Sequence, residues 1–374
     1  MNMKMNAYCS QVSEAGVSMK KLKRNGRSFV AGVVGVCVLG GCGMQQNFVE
    51  EKVSSLKIGI SVYDQYDTFV TELVSHLQSY AKEKEKDWDI SITLEIQNAD
   101  GSQMLQNDQM DDFIEERVDI ACINLVDRTD ASTIIEKAKN SDVPVIFFNR
   151  ELVKEDLERW DKLYYVGADA FESGKLQGDI LVEECKVNFS KIDKNGDGVL
   201  QYVMLEGEAG HNDSMVRSMS VINEITDRGY LVQKLSDEIA NWNRDQAANK
   251  MKQFIDMYGD DIEVVLANND DMALGAIDAL KAEGIRVGSE GWPMVLGIDG
   301  TSVGLKAVDN GEMLGTVLND AKGQARGILE LSYSLIRGTK LSKEFRLLDE
   351  KYIRQPYEIV TEKNLGEIQM RLMD

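Results

Sequence analysis

The chain has 374 residues, of which 43% are hydrophobic and 28% charged, with three prolines and a formal net charge of −21. The length suggests two domains, and the balance is that of a globular protein. The acidity argues against a phosphate-neutralising nucleic-acid face and is compatible with a neutral ligand or a cation.

The N-terminal segment stands apart. "MKKLKRNGRSF" is basic and "VAGVVGVCVLGG" is apolar and small, the layout of an export signal. The apolar run is short for a membrane span. Residues Met1 to Ser18 fit no signal, so Met19 is the expected start. "LGGC" resembles the lipobox of bacterial lipoproteins, with Cys42 as the lipidated residue. A short uncleaved anchor is the rival reading. Residues 1–41 are therefore expected to be a signal and 42–55 a polar, lipid-anchored tether on the outer face of the cell membrane.

From Leu56 short apolar runs alternate with amphipathic stretches. "LKIGISVY" predicts a strand and "FVTELVSHLQSYAKE" a helix; "ISITLEIQNA", "IACINLV" and "PVIFFN" predict further strands separated by helices. The pattern restarts after Arg150 with "LYYVGA", "LQYVMLEG", "VVLANN" and "MVLGID", each followed by a helical stretch. Repeated βα units predict parallel sheets covered by helices on both faces, here in two α/β halves. Cys122 and Cys185 read as packing residues, with a disulfide between them left open.

In such sheets ligands bind beyond the carboxyl ends of the strands. Asp67, Asn124, Asn149, His211, Asn269 and Asp299 fall there. Any one of them reads as an N-cap or turn residue. Together they read as a polar cleft. Without a glycine-rich phosphate fingerprint, a neutral polyhydroxylated ligand suits such donors and acceptors. A second cluster, "KIDKNGDGVLQY", opens like a calcium loop, with Asp193, Asn195 and Asp197 at alternate positions, Gly198 at the turn, and Gln201 beyond. Its twelfth position is Met204, where such a loop needs a bidentate carboxylate. Glu206, Glu208, a distant residue or a plain Asx-rich turn all remain open.

Several long collinear motifs then narrow the field: "INLVD", "TIIEKAKNSDVPVIFFNRE", "YYVGADAFESGKLQGD", "GEAGH", "ANNDDMALGAIDALK" and "GTVLNDAKGQA". With them the chain resembles the galactose- and glucose-binding members of the periplasmic-type sugar receptors, from Lys57 to about Leu365. The resemblance implies two doubly wound lobes joined by a three-stranded hinge, with crossovers near Val143–Asn149, Leu318–Asp320 and Ile353–Tyr357. The lobes are then 56–145 plus 319–352, and 146–318 plus 353–374. It implies sugar contacts from Asp67, Phe69, Asn124, His211, Asp213, Arg217, Trp242, Asn269, Asp299 and Asn319. It also implies tolerance of both 4-epimers at Asp67, although Asn212 and the residues around Asp67 depart from the family pattern. Calcium would be held by Asp193, Asn195, Asp197, the Val199 carbonyl, Gln201 and Glu263, the last selected by the resemblance from "DIEVVLANND". The implied partners are a monosaccharide and an ABC permease, or a chemoreceptor or sensor kinase in a sensing role, with the receptor a monomer. A glycoside-cleaving pair or a His–Asp dyad among Asp67, Asp299, His211 and Asp213 is disfavoured: the chain has two histidines and the family binds without reaction. A transcription-factor reading fails on the export signal, the missing DNA-binding module and the charge.

Overall fold

The computed structural model describes residues 55–373. The expected signal, the start at Met19, and Cys42 with its tether through residue 54 lie outside the described residues. The elements run β1 (Ser55–Val62), α1 (Thr68–Trp88), β2 (Ser91–Asn98), α2 (Gln103–Glu115), β3 (Ile120–Ile123), α3 (Ser132–Asn140), β4 (Val145–Phe148), α4 (Lys154–Leu157) and β5 (Leu163–Gly167). They continue α5 (Ala170–Ile192), β6 (Val199–Glu206), α6 (Asn212–Asp227), β7 (Leu231–Ile239), α7 (Arg244–Tyr258), β8 (Val264–Ala267), α8 (Asp270–Ala282), β9 (Met294–Leu296) and α9 (Ser302–Asp309). The chain finishes with β10 (Gly315–Asn319), α10 (Ala321–Arg337), β11 (Tyr352–Arg354), β12 (Tyr357–Thr361) and α11 (Leu365–Met373).

Two six-stranded sheets result, ordered β11-β5-β4-β3-β1-β2 and β12-β10-β9-β8-β6-β7. All pairings are parallel except β10 with β12. Side-chain alternation lets each sheet carry two cores. In β6, Val203 and Leu205 join the cluster under α7 and α8, while Leu200, Tyr202 and Met204 join the one under α5 and α6. In β1, Ile58, Ile60 and Val62 face the α1–α10 side. Gly59 lies on the opposite face, where a Cβ would fall 2.6 Å from the Phe113 ring. Cys122 and Cys185 are buried free thiols, one in each half, so the open disulfide is absent.

The chain passes between sheets three times: after β5, between β10 and α10, and between β11 and β12. The first passage differs from the expected Val143–Asn149. β5 pairs in parallel with β4, Phe147 opposite Tyr165, so "LYYVGA" completes the first lobe instead of opening the second. The lobe edge moves to residues 168–169, just before α5.

Candidate functional site

The carboxyl ends of both sheets face one interlobe cleft. Asp67, Phe69, His211, Asp213, Arg217, Trp242, Asn269 and Asp299 line it together with Tyr63, Asn149 and Arg150. Helix starts supply much of this wall. Asp67 caps α1, its Oδ1 accepting the Val70 N–H at 2.8 Å. His211 caps α6, its Nδ1 accepting the Asp213 N–H at 3.2 Å. Asn269 caps α8, its Oδ1 accepting the Met272 N–H at 2.9 Å. The capping geometry that starts each helix thus fixes a ligand-facing polar group.

Asn124 and Asn319 do not line the cavity. Asn124 is fully buried and spends its amide on the Phe148 carbonyl and on Asn149 Oδ1 at 3.1 Å, while accepting from the Tyr63 N–H. Asn319 donates to Asp299 Oδ1 at 3.4 Å and accepts from Gln324 at 2.6 Å. Both hold a lining residue in place. Tyr63 and Arg150 were not among the expected contacts. Tyr63 ends the first strand segment and Arg150 follows Asn149, so only a strand-end position marks either in the sequence.

Three lining residues sit at positive φ: Asn149 (59°), Trp242 (60°) and Asp299 (120°). Such conformations cost energy in non-glycine residues and cluster at functional sites. The Trp242 ring lies so close to Gly207 that a Cβ there would meet it at 2.1 Å. His211 stands edge-on to this ring with centroids 5.2 Å apart.

Arg217 is a buried cation of the site. Nη1 donates to the Asn268 carbonyl at 2.7 Å, Nη2 to the Tyr357 hydroxyl at 3.2 Å, and Nη1 lies 3.6 Å from Asp299 Oδ1. Its Nε is buried without a partner, which is costly unless a ligand oxygen accepts from it. Burial pushes the Asp299 carboxyl well above its ordinary range, against the pull of Arg217. Burial pushes His211 down to about 4, so near neutrality it is uncharged. With Nδ1 accepting, its proton sits on Nε2, available as a donor.

Behind this wall lies Asp270, fully buried and braced by Thr301 and by the Thr316 hydroxyl at 2.6 Å. Desolvation raises it to about 7. A carboxyl that favours its proton when folded contributes most below its unfolded value and loses that contribution as pH rises through about 7. His211 works in the opposite sense, lost as pH falls from 6.5 through about 4, and is constant above that window. The thermal midpoint of the unliganded protein is therefore expected to fall between pH 6.5 and 8, and Asp270→Asn to flatten that fall. Scanning calorimetry at four pH values checks it; an unchanged slope in the variant removes Asp270 from the account.

The residues of the second expected cluster are linked by hydrogen bonds from the loop to Glu263. Asp193 accepts from the N–H groups of Gly196, Asp197 and Gly198. Gly196 and Gly198 take positive φ of 72° and 80° to allow it. Glu263, 1% exposed, accepts from the Lys194 N–H at 2.6 Å and the Gln201 N–H at 2.9 Å. Gln201 donates to Asp197 at 2.9 Å, and its Oε1 is buried without a partner. Among the described residues no three His, Cys, Asp or Glu side chains converge as a metal cage. Asp193, Asp197 and Glu263 are thus not gathered as such a cage; the loop adds the amides of Asn195 and Gln201, oxygen donors of the hard kind that suits calcium, and the Gln201 Oε1 is buried without a partner.

Two α/β lobes with a polar cleft between them define a solute receptor. Residues 58–340 match the periplasmic binding protein domain. The chain is 34% identical over 313 residues to the D-galactose/methyl-galactoside binding periplasmic protein of Haemophilus influenzae, covering 83% of this chain and 91% of that one. It is 30% identical to the xylitol-binding protein of Mycolicibacterium smegmatis, covering 75% and 72%. Among solved structures it is similar to an ABC transporter solute binding protein of Bacillus halodurans with bound myo-inositol: TM-score 0.69, 26% identity, 85% and 99% covered. The chain belongs to the periplasmic binding protein family, a family of solute receptors and not of enzymes.

Proposed function

We propose that this receptor binds D-galactose or D-glucose in the interlobe cleft and, by hinge closure, presents the closed complex to an ABC permease outside the cytoplasm. The observation that carries the reading is the cavity's chemistry. Two guanidiniums, that of Arg217 with an unpartnered Nε, three carboxylates, a neutral histidine and two amides surround the cleft, with Phe69 and Trp242 as apolar walls. This suits a neutral ring bearing many hydroxyls, each able to donate to a carboxylate and accept from an amide or guanidinium. The relatives named for galactose and xylitol and the bound myo-inositol are all neutral polyols. Asp67, with two acceptor oxygens, accommodates either epimer at the 4-position. Among the described residues no helix is long and apolar enough to cross a membrane. We also propose lipid attachment at Cys42, a reading carried by "LGGC" alone; fatty-acid labelling that persists in Cys42→Ser would refute it.

Isothermal calorimetry with D-glucose, D-galactose, D-ribose and myo-inositol tests the ligand. One-to-one binding of both hexoses, with ribose silent, is expected. Binding of the cyclitol or ribose in place of the hexoses overturns the assignment. We also propose calcium, held by Asp193, Asn195, Asp197, the Val199 carbonyl, Gln201 and Glu263, as a structural staple between the loop and the residue before β8.

A further inference from the structure

Arg150 belongs to the first lobe, two residues past the end of β4, and is 4% exposed. Glu208 belongs to the second lobe, two residues past the end of β6. They meet across the cleft as a two-pronged pair, Nη1 to Oε2 at 3.1 Å and Nη2 to Oε1 at 2.8 Å. The guanidinium also lies over the Tyr63 ring, 3.4 Å from its centroid. The Tyr63 hydroxyl in turn donates to Asp67 Oδ2 at 2.6 Å. Desolvation raises the Tyr63 phenol far above its ordinary range, so it stays a donor. A continuous path therefore runs from a second-lobe carboxylate, through a buried cation and an aromatic ring, to the carboxylate that faces the cavity.

We infer that Glu208, Arg150 and Tyr63 form a closure latch, in which Arg150 and Tyr63 are positioning residues that tie the orientation of Asp67 to the meeting of the lobes. The Asp67 part rests on the proposed reading of the cleft as a sugar site. Opening the lobes removes Glu208 and lets water reach the Arg150 guanidinium, which lines the cleft; within its own lobe it keeps the Val126 carbonyl at 3.1 Å. Closure exchanges that hydration for the two-pronged charge-assisted pair with Glu208, and it is this pair that favours the closed form. Two lighter contacts cross the same opening, from Thr68 to Asp271 at 2.6 Å and from the Ser302 N–H to Glu72 at 3.0 Å. Neither reaches Asp67 through a side chain.

The test combines stopped-flow hexose release with pulsed EPR distances between one nitroxide on each lobe of the unliganded protein. Glu208 is about one third exposed, so Glu208→Gln is a mild change to the fold. It is expected to raise the release rate about tenfold, with association little altered, and to lower the closed fraction without ligand. Arg150→Met/Glu208→Gln is expected to release no faster than the worse single variant, because both remove one interaction. Tyr63→Phe keeps the stacked ring and loses only the donation to Asp67, so it should speed release while leaving the unliganded distances unchanged. Release within twofold of the parent in Glu208→Gln, or additive single effects, overturns the latch. Should the parent bind neither hexose, the sugar reading fails, and the unliganded distances alone decide the latch: an unaltered closed fraction in Glu208→Gln refutes it.

Discussion

An Arg217→Met variant is expected to bind hexose about a thousandfold more weakly than the parent while keeping its fold. Arg217 is a charged donor that lines the cavity, and its Nε is buried without a partner. It also stands 3.6 Å from Asp299, a carboxyl that burial already drives toward its neutral form. Removing the guanidinium deletes a ligand contact and strips Asp299 of its neighbouring cation. Truncating a charged, hydrogen-bonded contact at a binding interface costs ~2–5 kcal/mol, which is about one and a half to three and a half decades of affinity. Burial already pushes Asp299 up, and losing Arg217 removes the charge that holds it down, so the variant favours the protonated carboxyl, which loses part of its capacity to accept from hydroxyls. Residual binding in the variant should therefore strengthen as pH rises. Arg217→Lys keeps the charge but loses the planar fork, and should fall between the two. Calorimetry across pH 6 to 8.5, with circular dichroism as a fold control, measures this. A folded variant within tenfold of the parent would show that the cleft does not use Arg217 for its ligand.

Much of this site was legible because strand ends and helix caps are local signals. Asp67, His211 and Asn269 each follow an apolar run and precede a helical period, so their place beyond a strand is fixed by neighbours in sequence. The lobe edge was harder to see. β5 is an apolar run that would suit a parallel sheet in either half. The irregular stretch before it, holding only the four-residue α4, looks like a boundary, whereas the true passage occupies residues 168–169 with no change of composition. β7 is hard to read in the sequence, because an edge strand such as "LVQKLSDEI" alternates weakly and stays largely exposed. Arg150 was invisible for a different reason. Its partner Glu208 is 58 residues away, and an arginine after a strand end reads as a solvated loop charge until the fold buries it. Asn124 and Asn319 show the converse: a matching motif placed them at the right strand ends, yet their amides are spent on Asn149 and Asp299.

Removal of calcium is expected to lower the thermal midpoint by about 5–15 °C and to leave hexose affinity within about threefold. An ion that binds only the folded state at a hundred to a thousand times its dissociation constant contributes ~2.7–4.1 kcal/mol. Each kcal/mol moves the midpoint of a chain this large by ~2–4 °C. The loop that would hold the ion leads into β6 at Val199, while the cleft lies beyond Glu206 at the opposite end of that strand. The strand is a buried member of a six-stranded sheet and transmits little of a loop rearrangement. Glu263→Gln separates the ion from the loop's own hydrogen bonds. The amide still accepts one backbone N–H, but it cannot offer two oxygens to a cation. The variant should melt at the same temperature with calcium or with chelator, near the chelated parent. If the parent itself is indifferent to chelator, the loop stands on the bonds from Asp193 and Glu263 alone, and the proposed ion has no structural role. A parent that loses hexose binding together with calcium would instead place the ion's influence at the cleft, against the separation that β6 imposes.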